Sequence, residues 1–298
     1  MKDFCGLVSI VGRPNVGKST LLNRLIEQKI SITSRKSQTT RNNILGIKTK
    51  ENHQMVFIDT PGVHINASKV MNKVLNQSAL GAIEDADLII FMLQRNKINT
   101  LDELILERLK GIKTKKLCVI NKLDQVASKN SLLPVIEKLR SENDFTEIIP
   151  VSAKTGKNIN ELENMICQNL PENNHLYDSD TKFLAKESFM ISEIIREKII
   201  RFLGEELPHE TYVQLQKLED KENIINIDAE IIVARESQKG IVVGKNGAKL
   251  KKIGEKARID LEKFFNKKVF LKTWVKTKKN WNNDSDFISS LGIGSLYD

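Results

Sequence analysis

At 298 residues the chain is longer than one typical domain and long enough for two cores, and no apolar run in it reaches the length of a bilayer span. Its N-terminus reads straight into a strand, without the charged, apolar and small-residue segments of a secretory signal, so a soluble intracellular protein is expected. The three cysteines and four histidines are scattered without ligand spacing, which speaks against a disulfide framework and a zinc site, while the net charge of +9 points to an anionic partner. That charge is uneven: residues 235–279 hold 15 basic and 4 acidic side chains, whereas residues 173–234 hold 7 and 13. A basic segment of this kind suits nucleic acid or a lipid surface.

The apolar run Leu7 to Val11 leads into Gly12-Arg13-Pro14-Asn15-Val16-Gly17-Lys18-Ser19, followed by the helix-like Thr20 to Ile26. Strand, glycine loop and helix in this order form a P-loop, in which converging N–H groups and the positive end of a helix cradle a polyphosphate. Lys18 is placed to reach the β and γ phosphates and Ser19 to ligate Mg²⁺. Ser31 to Arg41 is polar and hydroxyl-rich, where a switch loop would offer a Thr to Mg²⁺; Thr39 and Thr40 are the candidates, with Thr40 preferred. A strand is expected over Ile44 to Lys48. Met55 to Ile58 reads as a strand ending in Asp59-Thr60-Pro61-Gly62, whose carboxylate can hold an Mg²⁺ water and whose Gly62 N–H can contact the γ phosphate. Val63 follows, where Ras-like enzymes place a water-orienting Gln, so slow intrinsic hydrolysis is expected unless another group positions the water.

Asp87 to Leu93 reads as a buried strand, Leu101 to Lys110 as an amphipathic helix, and Leu117 to Ile120 as a strand ending in Asn121-Lys122-Leu123-Asp124. The Asp124 carboxylate can accept from N1 and N2 of guanine, a donor pair that adenine lacks. Ile148 to Val151 precedes Ser152-Ala153-Lys154, whose backbone can meet the guanine O6. Each motif follows a strand, so all converge on one edge of a parallel sheet. Asn158 to Leu170 is expected to be the last helix of this domain, and the polar, turn-rich residues 171–181 to contain a linker.

From Lys182 to Leu203 apolar residues recur at helical spacing. Thr211 to Leu218 and Ile224 to Ala234 alternate as two strands around a turn at 220–223, and Ile241 to Ile253 reads as helix, GxxG loop and helix, with a strand over Val269 to Val275. Gly244 and Gly247 would let the backbone approach a single strand of RNA, with Lys245, Asn246, Lys249, Lys251 and Lys252 supplying charge and polar contacts.

Five stretches of the first half, GRPNVGKSTLLN, SRKSQTTR, DTPGVH, NKLD and SAK, resemble the translation-factor-related GTPases, and the first three look most like the Era family within that group, beside the related tRNA-modification and tandem-domain GTPases. The second half resembles a KH domain of the type whose two strands precede the GxxG, and SEIIREK, RFLGEELP and LKTWVK extend the resemblance over essentially the whole chain. The implied fold is an α/β P-loop GTPase domain, with a mostly parallel sheet flanked by helices, followed by an α+β type II KH domain. The corresponding boundaries are 1–172, a linker at 173–181, a KH domain at 182–279 and a C-terminal tail at 280–298.

The resemblance implies GTP hydrolysis with Mg²⁺, binding of the 3′ end of 16S rRNA, a role in 16S rRNA processing and 30S subunit assembly, a monomer, and a cytoplasmic location with peripheral contact at the inner membrane. It accounts for Val63, because these enzymes carry a hydrophobic residue there. It also implies potassium activation through Asn15, which matches the P-loop Asn that helps to bind K⁺ in related GTPases. Two alternatives stay open: a tRNA-modification-type GTPase, although its C-terminal Cys motif is absent, and a nucleotide-gated RNA-binding scaffold with negligible turnover.

Overall fold

The computed structural model describes residues 2–32, 44–60, 70–95, 97–203, 210–291 and 293. The first half runs through β1 (Phe4–Val11), α1 (Lys18–Ile26), β2 (Ile44–Lys50), β3 (His53–Asp59), α2 (Val70–Glu84), β4 (Leu88–Gln94), α3 (Thr100–Leu109), β5 (Lys115–Asn121), α4 (Leu133–Glu142), β6 (Glu147–Pro150), α5 (Ile159–Asn169) and β7 (Phe183–Leu184). These strands form one sheet in the order β6-β5-β4-β1-β3-β2-β7, parallel from β6 to β3 and antiparallel at β2 and β7. The parallel strands are apolar on both faces because helices cover both faces. Val8, Ile10 and Phe57 pack against Leu21, Leu25 and Ile166 on one side. Val11, Ile89 and Phe91 pack against Ile105, Leu109 and Leu139 on the other.

The second half continues with α6 (Glu187–Phe202), β8 (Thr211–Asp220), β9 (Ile224–Val233), α7 (Glu236–Val243), α8 (Ala248–Phe265), β10 (Lys268–Thr277) and α9 (Ser285–Ser290). Its sheet has the order β10-β9-β8, with β9 parallel to β10 and antiparallel to β8. Period-two alternation sends Ile227, Ala229 and Ile231 to one face, where they meet Ile195 and Ile199 of α6 and Ile253, Ala257 and Leu261 of α8.

Three segments differ from the sequence expectation. The helix expected from Lys182 begins at Glu187, because Phe183 and Leu184 instead pair with Gly46 and Leu45 and extend the first sheet. Residues 173–181 are strapped to the first domain: the fully buried Gln54 accepts from the Leu176 and Tyr177 amides at 2.8 and 3.0 Å and donates to the Tyr177 carbonyl at 2.8 Å. The tail is folded where it is described. Trp281 and Ile288 join Met71 and Leu75 of α2 and Ile232 of β9 in an apolar cluster that fastens the two halves together.

Candidate functional site

Four sequence-predicted motifs lie at the C-terminal ends of β1, β3, β5 and β6, the edge at which open α/β sheets bind ligands. Gly12 and Gly17 take positive φ angles of 156° and 109°, and a Cβ on Gly12 would meet the Met92 carbonyl at 2.6 Å. Glycine is therefore required for the loop to turn between β1 and α1. Lys18 is buried and folds back over the loop, donating to the carbonyls of Gly12 at 2.9 Å and Arg13 at 3.3 Å. Burial pushes its pKa down to about 8 against the opposing pull of Asp59, with Arg13 adding to the depression. A buried ammonium resting on carbonyl dipoles is a receptor for an anion, and the helix N-terminus beside it fits a polyphosphate.

Asp59, fully buried at the end of β3, accepts from two hydroxyls at the same Oδ2 atom, Ser19 at 2.9 Å and Ser31 at 2.7 Å. This set of hard oxygen donors fits Mg²⁺. Thr60 Oγ1 is committed elsewhere, donating to the Ile10 carbonyl at 2.8 Å. Thr39, Thr40, Pro61, Gly62 and Val63 lie outside the described residues.

Asn121 is a brace between motifs. Its Nδ2 donates to the Val16 carbonyl at 2.8 Å and its Oδ1 accepts from the Ala153 amide at 3.0 Å. Lys122 lies across the P-loop, donating to the Asn15 carbonyl at 2.7 Å and Gln94 Oε1 at 2.6 Å. Burial and the neighbouring Arg95 and Arg13 lower its pKa. Asp124 is exposed, and Ser152 Oγ donates to its Oδ1 at 2.6 Å, which orients the carboxylate. Arg24 of α1 holds the Ser152 to Lys154 turn in place through the carbonyls of Ala153 at 3.2 Å and Lys154 at 2.6 Å.

Two contributors, Asp102 and Ser31, were not found by sequence reasoning. Arg13 Nε donates to both oxygens of the buried Asp102 at 3.1 and 3.0 Å, so its side chain ties the P-loop to α3. The spacing of Asn99 and Asp102, which form a reciprocal capping box at the start of α3, is the signal that marks that carboxylate. Ser31, the second hydroxyl on Asp59, carried no local signal.

In the second domain α7 ends at Gly244, with φ 72° and ψ 177°, and α8 begins after Gly247, with φ 76°. Lys245, Asn246, Lys251 and Lys252 are exposed, Lys249 is half-buried, and Ile241 is 44% exposed beside them. The Lys252 ammonium lies 5.4 Å from the centroid of the Phe202 ring. A bare backbone turn, a row of lysines and an exposed apolar side chain can receive a sugar-phosphate chain and its bases.

The sequence model of the 50S ribosome-binding GTPase family matches residues 7–122, and that of the KH domain matches residues 206–282. GTPase Era of Haemophilus influenzae (strain PittGG) is 46% identical over 292 residues, covering 98% of this chain and 97% of the relative. GTPase Era of Coxiella burnetii (strain RSA 493 / Nine Mile phase I) is 46% identical over 290 residues, covering 97% and 98%. Two solved structures, each 36% identical, share the fold. An Era variant from Aquifex aeolicus bound to GDP·AlF4⁻ superposes with a TM-score of 0.93, covering 98% of this chain and 99% of that one. Era in complex with MgGDPNP and nucleotides 1506–1542 of 16S ribosomal RNA superposes with a TM-score of 0.94, covering 97% and 99%. With the P-loop and NKxD motifs on one sheet edge and a GxxG turn in the same chain, and with kinship along nearly its whole length, the protein belongs to the Era family of GTPases.

Proposed function

We propose that this GTPase is a nucleotide-dependent switch that binds the 3′ end of 16S rRNA and acts in 16S rRNA processing and 30S subunit assembly. The observation that carries the reading is the pairing, in one chain, of an oriented carboxylate at Asp124, placed to read guanine, with a GxxG turn at Gly244–Gly247 whose Lys245 and Asn246 are exposed. The related complex with MgGDPNP and 16S rRNA supports it. In this reading Lys18 receives the β and γ phosphates, Ser19, Asp59 and Thr40 serve Mg²⁺, and Gly62 contacts the γ phosphate. Mg²⁺ would neutralise charge on the transferring phosphoryl group. Asn15 stands exposed at the loop tip with φ 66°, held through its carbonyl by Lys122, and is proposed to help to bind K⁺. Turnover unchanged when Na⁺ replaces K⁺ would remove that role.

Among the described residues no helix is long and apolar enough to cross a membrane. A cytoplasmic monomer is proposed, and inner-membrane contact would rest only on the basic segment, which co-sedimentation with anionic vesicles tests. The central experiment measures binding of a short 16S 3′-end RNA by filter retention in the GDP and GDPNP states, with Gly244→Asp as control. Tighter binding in one nucleotide state, abolished in the variant, supports the switch. Equal binding by all three samples overturns it.

A further inference from the structure

The segment that joins β4 to α3 carries none of the nucleotide motifs, yet it touches two of them. At its far end Asp102 holds Arg13 of the P-loop. At its near end Gln94 and Arg95 grip the turn that bears Asp124. Gln94 is the register partner of Asn121, and its Oε1 accepts from the Lys122 ammonium at 2.6 Å. The Arg95 amide donates to the Asn121 carbonyl at 2.8 Å, while its guanidinium Nη2 donates to Gln125 Oε1. Within the turn the Gln125 amide donates to the Lys122 carbonyl at 2.9 Å. Asp124 therefore lies between two residues that are both held from the end of β4.

Holding Arg95 in this place is unfavourable on two counts. Its φ is 57°, in the left-handed region that a long side chain avoids, and Lys122 beside it takes 65°. Burial first, and then Arg95 and Arg13, lower the Lys122 pKa, so the Arg95 guanidinium stands within reach of a like charge that repels it. Arg95 is exposed, so no apolar packing of its side chain offsets either effect. A backbone in this region persists where its surroundings over-determine it, and such residues cluster at functional sites. Here the determinants are the bonds to the Asn121 carbonyl and to Gln125. Ser152 aims the Asp124 carboxylate from one flank, and Arg95 ties down the residue on the other.

We propose that Arg95 is a positioning residue for base recognition, which presets the Asn121–Gln125 turn so that Asp124 meets both guanine donors, N1–H and N2–H, and so that nucleotide leaves slowly. Its amide fixes the start of the turn and its guanidinium the end. Gln94 steadies Lys122 where that ammonium crosses to the Asn15 carbonyl of the P-loop. A turn ordered before the ligand arrives need not be ordered on binding, and the gain falls mainly on dissociation. The role rests on the reading above that Asp124 recognises guanine.

The test uses the full chain with Mg²⁺ and measures affinity and stopped-flow release of mant-labelled GDP and IDP. IDP lacks the N2 amine, so the preference for GDP over IDP reports the second hydrogen bond to Asp124. Arg95→Gly keeps the amide and accepts the positive φ but removes the guanidinium. It should melt close to the wild type, release GDP about fivefold faster and lose about threefold of the preference. Gln125→Ala, which leaves the backbone as it is and decides the matter even if Arg95→Gly unfolds, should give the same two changes. The double variant should be no worse than either single one. Arg95→Lys keeps a donor for Gln125 and should retain most of the preference. An unchanged preference in Gln125→Ala or in folded Arg95→Gly, whether or not release is faster, or additive losses in the double variant overturn the proposal. Asp124→Asn is measured beside them with XDP. If it does not admit XDP, the reading of Asp124 fails and the proposal with it; if it does while Arg95→Gly behaves as the wild type, only the positioning role is lost.

Discussion

The Lys18 ammonium lies 2.9 Å from the Gly12 carbonyl oxygen, a contact in which the loop offers its own dipoles to a buried cation. Folding lowers the pKa of this lysine to about 8, so its protonated form is held less firmly in the free protein than in the unfolded chain. Between about pH 8 and the ordinary lysine value, the unfolded chain binds more protons than the folded one. This group's contribution to stability therefore rises with pH across that window, and its cost is fully present below it. A bound polyphosphate favours the protonated ammonium. Nucleotide binding above pH 8 should consequently take up a proton, and GDP affinity should fall by as much as about tenfold per pH unit. Calorimetry in two buffers of different ionisation enthalpy at pH 8.5 measures the uptake directly.

Asp102 anchors the P-loop from outside the nucleotide motifs. Asp102→Ala removes both acceptors of the Arg13 Nε–H and the capping box of α3, and should destabilise the first domain by about 3 kcal/mol. Denaturant titration reads that loss. Asp102→Asn keeps one acceptor and should cost less than the alanine variant.

Asp124, the proposed acceptor for the guanine base, is aimed by Ser152. Asp124→Asn should lower guanine-nucleotide affinity about 100-fold or more and admit xanthine nucleotides, whose C2 carbonyl accepts from the new amide. Ser152→Ala leaves the carboxylate in place but unguided and should weaken GDP binding only about fivefold. Calorimetric titration with GDP and XDP separates the two effects.

The two glycines of the GxxG turn are required for different reasons. A Cβ on Gly244 would lie 2.7 Å from Lys249 Cβ, whereas one on Gly247 meets nothing within 4 Å. Gly244→Ala should therefore lower the melting temperature as well as RNA binding. Gly247→Asn, placed in a left-handed conformation that Asn tolerates, should melt like the wild type while losing RNA affinity. Thermal denaturation beside filter binding distinguishes them.

The nucleotide edge was legible because its strands are short apolar runs, each ending in a motif whose residues are neighbours in sequence. Contacts between distant residues were not. Ser31 meets Asp59 across 28 positions, and nothing around Ser31 marks that partner. Phe183 stands at helical spacing from the apolar residues of α6, but an unpaired β2 edge claims it first. The helix α2 shows no single stripe because its apolar residues serve three partners: Ile83 packs with Val11 and Ile89, Ala82 beside β2 and β3, and Met71 and Leu75 against the C-terminal cluster. The short α9 is fixed by the packing of Phe287 and Ile288 in the same cluster, which local propensity does not report.

Trp281 is fully buried where α2 meets the second domain, its indole N–H donating to the Glu210 carbonyl at 3.0 Å. The chain has only one other tryptophan, Trp274, on β10. With Trp274→Phe, the protein carries a native fluorophore at the junction of its halves. Its emission should be blue when the junction is closed and move to the red if water enters as the halves part, so nucleotide exchange can be followed optically in unlabelled protein.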